Sequence, residues 1–90
     1  MAKYSTKKIT VQDTSKLIRG VRKHLKLTQV LVSKKLGVSQ GSLSKMETGK
    51  AEPSAIQWVE FCRLTGVPMD ALVRDDFKVA SLKPVKVKSR

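Results

Sequence analysis

KKLGVSQGSLSKMETGK, residues 34–50, decides the fold of this chain, because it contains the end of one helix, a turn and the whole of the next helix. Gly37 supplies the left-handed conformation that commonly ends a helix. Ser39 then offers a side-chain oxygen that caps a new helix, and Gly49 ends that helix. The stretch therefore predicts two short helices joined by residues 37–39, the second running from about 40 to 48.

Periodicity and capping residues extend this pattern on both sides. Thr28 is a natural N-cap for the helix that ends before Gly37, and Ser54 with Gln57 forms the capping box of a fourth helix. Pro68 suits the first position of a last, short helix. The predicted helices are 15–26, 29–36, 40–48, 55–65 and 68–73. Five helices with short links predict a compact all-α domain.

The outward face of the helix over 40–48 is almost free of acidic residues. On a helical wheel Leu43 and Met46 share the buried direction. The opposite face is small, amide-bearing or basic, with Gln40, Gly41, Ser44, Lys45 and Thr48. Two short helices with such a face predict a helix-turn-helix whose second helix enters the major groove of DNA.

This face has the chemistry that reads base edges. Gln40 can pair with N6 and N7 of adenine, and Lys45 with O6 and N7 of guanine or with a phosphate. Ser44 can bond to either kind of base. Gly41 costs the helix about 1 kcal/mol relative to Ala, which indicates either close backbone approach to DNA or simple tolerance at an exposed position.

Charge supports a polyanion as partner. The chain carries 19 Lys and Arg against 7 Asp and Glu, a formal net charge of +12. Residues 1–50 hold 12 bases and 2 acids, residues 51–77 hold 2 bases and 5 acids, and residues 78–90 hold 5 bases and no acid. One end of the domain is therefore basic and the other mildly acidic, a pattern typical of nucleic-acid-binding proteins. Solubility alone is the alternative.

Several classes of function are excluded by composition. One cysteine, Cys62, cannot close an internal disulfide, and together with the single His24 it cannot supply the four ligands of a zinc site. Cys62 and Trp58 are predicted core residues, and His24 a surface residue. No catalytic set is present, so we predict no enzyme, no cofactor and no small-molecule substrate. No apolar run reaches the ~20 residues of a membrane span, so a cytoplasmic protein is expected.

A set of short motifs, at their spacing, resembles a known family. The motifs are Arg22, LTQ at 27–29, LGVS at 36–39, ETG at 47–49 and Pro53. Over residues 17–73 the chain is similar to the Cro, lambda-repressor and Xre-like helix-turn-helix regulators. The resemblance implies a five-helix lambda-repressor-like domain that binds double-stranded DNA, usually as a homodimer on a two-fold symmetric operator.

Carried over position by position, the resemblance implies roles for individual side chains. Base contacts fall on Gln40, Gly41, Ser44 and Lys45. Phosphate contacts fall on Thr28, Gln29, Thr48 and Lys50. An internal ion pair joins Arg22 to Glu47. Dimer contacts fall on Val67, Met69, Leu72 and Val73.

The domain is expected to lie between two basic extensions. Residues 1–13 form a predicted N-terminal arm, residues 14–77 the helix-turn-helix domain and residues 78–90 a C-terminal tail. The short alternation at 9–12 is compatible with a strand, but we expect an arm. The bases of these extensions are Lys3, Lys7, Lys8, Lys78, Lys83, Lys86, Lys88 and Arg90. Both extensions are expected to be flexible, and they either wrap DNA through phosphate and minor-groove contacts or only raise solubility.

The predicted function is a bacterial or phage transcriptional regulator, most simply a repressor, that is nucleoid-associated when bound. The alternative is an antitoxin-type protein that binds a partner protein and represses its own operon. Val30 and Leu31 replace the polar or acidic residues usual at these positions, and they either contact a partner or pack under the arm or tail. Ser33, in place of a small alanine, loosens the fit of the two helices. RNA or nonspecific binding leaves the face of the 40–48 helix unexplained.

Overall fold

The computed structural model describes residue 4 and residues 6–85. Its α-helices are α1 (Val11–His24), α2 (Gln29–Leu36), α3 (Gln40–Glu47) and α4 (Ala55–Thr65), followed by a 3-10 turn at Val79–Ser81. The all-α prediction is confirmed for these residues. None of their helices is both long and apolar enough to cross a membrane. The predictions on Lys3, Lys86, Lys88 and Arg90 fall outside the described part of the chain.

The ends of α2, α3 and α4 lie where local signals predict them. Gly37 closes α2 with φ of +73°, and the Ser39 hydroxyl accepts from the Ser42 amide at 3.0 Å to open α3. Ser54 and Gln57 form the reciprocal capping box of α4. Because each cap joins residues only three apart in sequence, these boundaries need no information from the rest of the fold.

Helix α1 begins four residues before its predicted start. Thr10 and Asp13 form a capping box: the Thr10 amide donates to Asp13 Oδ2 at 2.9 Å, and the Asp13 amide donates to Thr10 Oγ1 at 3.2 Å. The segment at 9–12 is therefore neither strand nor arm, but the N-cap and first turn of a helix. The helix ends at His24, and Lys26 takes a left-handed conformation with φ of +58° in the turn to α2.

The four helices enclose one core. Its fully buried side chains are Ile18, Val21, Val32, Leu43 and Phe61. Cys62 is 5% exposed, as predicted for a core residue, and burial raises the pKa of its thiol to about 11. The thiol therefore stays protonated and unreactive at neutral pH. Trp58 is half-buried against the core, and its ring stacks on Phe61 with centroids 6.0 Å apart.

The predicted fifth helix over 68–73 is not formed. The segment is a pair of turns in which the Ala71 amide donates to the Pro68 carbonyl and the Val73 amide to the Asp70 carbonyl, both at 3.0 Å. The carbonyl of Met69, which a helix would direct to Val73, instead accepts from the Trp58 indole at 3.0 Å. A side chain from α4 therefore bonds to this carbonyl, while the Val73 amide donates to Asp70 and closes a tighter turn.

Both extensions contact the domain where the structure describes them. Tyr4 forms an isolated antiparallel bridge with Arg74, and its hydroxyl donates to Asp70 Oδ2 at 3.1 Å, which raises the pKa of the phenol. In the tail, Leu82 is partly buried against the core, and its carbonyl lies 3.3 Å from His24 Nε2. The apolar side chains of residues 77–85 are partly buried against the core and the 3-10 turn contacts α1, so this part of the tail is not extended into solvent as expected.

Candidate nucleic-acid interface

Helix α3 presents the side chains predicted to face bases. Gln40, Gly41 and Lys45 are exposed and Ser44 is half-buried, while Leu43 lies fully in the core. A Cβ added at Gly41 would meet only the Ser39 hydroxyl, at 3.9 Å. The packing of the protein itself therefore does not require glycine at this position. Only a molecule that binds against α3 would require it.

Beneath this face, Arg22 of α1 is paired with Glu47 at the end of α3. Arg22 Nε donates to Glu47 Oε2 at 2.6 Å, and Nη2 donates to Oε1 at 3.0 Å. The two side chains are only 13% and 3% exposed. The remaining guanidinium nitrogen, Nη1, donates to the Leu27 carbonyl at 3.0 Å. The bidentate pair thus fixes α1, the α1–α2 turn and α3 relative to one another.

A chain of hydrogen bonds connects this ion pair to the exposed tip of α3. Gln29 Nε2 donates to Glu47 Oε1 at 3.1 Å, and Gln40 Nε2 donates to Gln29 Oε1 at 3.3 Å. Because a carboxylate only accepts, Glu47 orients the amide of Gln29, which in turn orients the amide of Gln40. Gln40 is left with its oxygen and one N–H for an outside partner, which is the donor and acceptor pair that adenine matches.

The two threonines among the predicted phosphate contacts are already bonded within the chain. Thr28 Oγ1 accepts from the Leu31 amide at 3.1 Å, so its hydroxyl proton is still available to donate. Thr48 Oγ1 donates to the Ser44 carbonyl at 3.0 Å. Since a phosphate oxygen needs a donor, Thr48 must give up this bond to contact phosphate through its hydroxyl. Lys50 is exposed beyond the end of α3.

An open groove of about 630 Å³ runs between α1, α2 and α3, and we call it the basic groove. It is lined by Arg19, Arg22, Lys23, Thr28, Gln29, Val30, Gln40, Ser44, Glu47 and Thr48. The structure therefore brings Thr28, Gln29, Gln40, Ser44 and Thr48 together and places Gly41, Lys45 and Lys50 outside the lining. Arg19, Lys23 and Val30 were not predicted as DNA contacts. The exposure of Arg19 and Lys23 could have been predicted, because both lie opposite the apolar stripe of α1.

The charge of the basic groove is positive. Arg19 and Lys23 are exposed on its α1 side, whereas its only carboxylate, that of Glu47, is buried and paired. A second groove, of about 670 Å³, lies between the end of α4 and residues 81–85. Its cations include Arg63 and Arg74, which are bonded to Glu60 and Asp76 respectively. The basic groove is therefore the better site for a polyanion.

The residues predicted as dimer contacts do not share one exposed surface. Val67 is 3% exposed and belongs to the core, so its side chain cannot reach a second copy. Leu72 and Val73 are half-buried, and Met69 is 57% exposed. Ile56, which was not predicted, is 77% exposed on α4. The sequence offered one indication of this exposure, because Ile56 lies on the side of α4 opposite its buried apolar residues.

Comparison with known proteins agrees with this geometry. A family model described as helix-turn-helix matches residues 18–72, more than half of the chain. This span covers the second half of α1, all of α2, α3 and α4, and most of the turns that follow. No curated protein matches the chain. Within the described residues, no group of three or more His, Cys, Asp or Glu side chains is placed to hold a metal ion.

Proposed function

Because the chain belongs to the Cro/CI/Xre-type helix-turn-helix family of DNA-binding regulators, we propose that it binds operator DNA sequence-specifically and represses transcription. It acts as a homodimer on a two-fold symmetric site, in the cytoplasm, with α3 in the major groove. The observation that carries this proposal is the hydrogen-bond chain from the Arg22–Glu47 pair to Gln40, because it holds an exposed amide in a fixed orientation beside a basic groove.

Bases are read from the exposed face of α3. Gln40 contacts adenine through its free oxygen and N–H, and Lys45 contacts guanine or a nearby phosphate. Ser44 lies one turn along the helix from Gln40 and bonds to a neighbouring base. Gly41 allows the backbone of α3 to lie close to the floor of the major groove.

Phosphates are held at the basic groove and at its ends. Arg19 and Lys23 supply charge along α1, and Lys50 supplies it beyond α3. The amide of Gln29 and the hydroxyl of Thr28 lie at the N-terminus of α2, where the helix dipole favours an anion. Thr48 joins this set if it releases its bond to the Ser44 carbonyl.

The dimer contact lies in the mildly acidic segment, residues 51–77. Met69 and Ile56 are its exposed apolar side chains, and Leu72 and Val73 are half-buried. Segment 51–77 carries more acids than bases, so two copies meet with less repulsion here than through their basic surfaces. Each copy then reads one half-site, and the half-sites lie about one helical turn of DNA apart.

The proposal is tested by selecting bound duplexes from a random DNA library at near-physiological salt. We expect a palindromic consensus bound at least ~10³-fold more tightly than bulk DNA. Gln40→Ala should relax the preference at one base position while leaving the melting temperature unchanged. Binding without a consensus would contradict sequence-specific regulation and would leave a nonspecific binder.

The antitoxin-type alternative has less support. Its sequence argument was a free alternating tail or an exposed Val30–Leu31 pair. Residues 77–85 pack on their own domain, and Leu31 packs against the core. Purification of the chain with a stoichiometric protein partner would nevertheless favour the alternative over a stand-alone regulator.

A further inference from the structure

Val30 is the one apolar side chain among those that line the basic groove, and the other nine are polar or charged. It occupies the second position of α2 and is 49% exposed. Its neighbours in the helix behave differently: Leu31 packs against the core, and Val32 is fully buried. Val30 therefore leaves half of an aliphatic surface in water within a groove that is otherwise built for polar contacts.

The position of Val30 is tied to that of the proposed base reader. Gln29, the preceding residue, accepts a hydrogen bond from Gln40 at 3.3 Å. Thr28 caps α2, and its hydroxyl keeps a proton for an outside acceptor. Val30 thus shares the groove with Gln40 and with three side chains that can donate to phosphate, those of Thr28, Arg19 and Lys23.

Between successive phosphates the DNA backbone presents the C–H surface of a deoxyribose. That surface can form neither a hydrogen bond nor an ion pair, so an apolar side chain is its natural neighbour. We propose that Val30 packs against a deoxyribose of the strand that lies in the basic groove. The contact contributes affinity without reading sequence, and it rests on the proposed function of DNA binding.

The C5-methyl group of a thymine offers similar apolar chemistry. We favour the sugar because Val30 lies beside the N-terminus of α2 and the basic side chains of α1, which are the proposed contacts to the DNA backbone. It does not lie on the exposed face of α3, which is the proposed contact to the nucleobases. The two assignments differ in a measurable way. A sugar contact acts on every sequence, whereas a methyl contact acts only where thymine occurs.

The test compares Val30→Ala, Val30→Ile and the wild-type chain on the selected operator and on bulk DNA across a salt series. Alanine is the strongest helix former, so α2 should remain intact, as circular dichroism will check. Ile9→Ala is the matched control, because Ile9 is an aliphatic residue of similar exposure, 42%, that lies outside the basic groove.

We expect Val30→Ala to weaken binding to operator and bulk DNA by the same factor, roughly fourfold, the loss associated with about one buried methylene. The slope of affinity against salt should not change, because no counterion is released by an apolar contact. Val30→Ile should bind like the wild type, and Ile9→Ala should have no effect.

Three results would overturn the inference. Unchanged affinity of Val30→Ala would show that the side chain does not touch DNA. A loss confined to the operator, and abolished when its thymines are replaced by deoxyuracil, would assign the contact to a base methyl group. A wild-type chain that bound no DNA would refute the proposed function together with this contact, so the two failures are distinguishable.

Discussion

Two arginine–carboxylate pairs of this protein have the same chemistry and different surroundings. Arg22 and Glu47 lie 2.6 Å apart with side chains 13% and 3% exposed, and they join residues 25 positions apart in sequence. Arg74 and Asp76 lie 2.9 Å apart with side chains 28% and 38% exposed, and they are separated by a single residue. The first pair spans the tertiary structure, whereas the second stays within one loop.

Burial, more than distance, decides the consequence of breaking such a pair. An exposed charge that loses its partner is solvated by water, whereas a buried charge is left without compensation. Glu47 also accepts from Gln29, so the buried pair holds the amide chain that leads to Gln40. We therefore expect the buried pair to affect both stability and DNA recognition.

The largest expected effect comes from Arg22→Ala. The substitution leaves the buried Glu47 carboxylate without its cation, which should lower the free energy of unfolding by about 3–5 kcal/mol. For a domain of this size that is a fall in melting temperature of more than about 10 °C. Thermal unfolding followed by circular dichroism measures it. If Arg22→Ala lost DNA binding at an unchanged melting temperature, Arg22 would be a direct DNA contact and not a structural residue.

A smaller effect, mainly on recognition, is expected from Gln29→Ala. Glu47 keeps both bonds from Arg22, so stability should fall by only about 1 kcal/mol. The Gln40 amide loses its orientation, and affinity for the selected operator should fall about tenfold, within the range for one good base contact. The ratio of operator to bulk-DNA binding is the decisive measurement. An equal loss on both DNAs would mean that Gln29 only contacts phosphate.

Arg74→Ala is the exposed counterpart of Arg22→Ala. We expect a change in melting temperature several times smaller than that of Arg22→Ala, because both partners remain accessible to water. Raising the salt concentration should reduce the difference from the wild type further. A fall in melting temperature as large as that of Arg22→Ala would show that exposure does not separate the two pairs, and the comparison would fail.

The smallest expected effect concerns a third carboxylate, that of Asp13. The amide and hydroxyl of Thr10 hold the pKa of this exposed carboxyl below its ordinary value. Since the pKa of Asp13 is lower in the folded than in the unfolded protein, the capping box stabilises the fold at pH values above the unfolded pKa. This stabilisation is lost as the pH falls through the folded pKa. Melting temperatures between about pH 2 and pH 6 should therefore fall less in Asp13→Asn than in the wild type, and parallel curves would contradict the assignment.

Part of the fold could be read directly from short-range sequence signals. Ser39, Ser54 and Gly37 act on residues within one turn of themselves, so the ends of α2, α3 and α4 followed from local chemistry. The start of α1 rested on an equally local signal, Thr10 with Asp13. It was misjudged because the basic residues before it were interpreted as part of a longer arm.

The candidate site divides in the same way. The exposed face of α3 follows from the helical period, which sets Leu43 and Met46 inward and Gln40 and Lys45 outward. The lining of the basic groove does not follow from the helical period, because it depends on how α1 and α2 pack against α3. Val30 received two alternative interpretations from sequence, and only the packed helices place it beside Gln29 and Gln40.

The all-α class, the helix-turn-helix and the basic character of residues 1–50 follow from caps, periodicity and charge, which act over a few residues. Other features depend on how the helices pack. The Trp58 indole donates to the Met69 carbonyl in a segment that forms turns and not a fifth helix, Val67 lies in the core, and Glu47 contacts both Arg22 and Gln29. Each of these outcomes depends on a contact between residues far apart in sequence, whose partners no local pattern can specify.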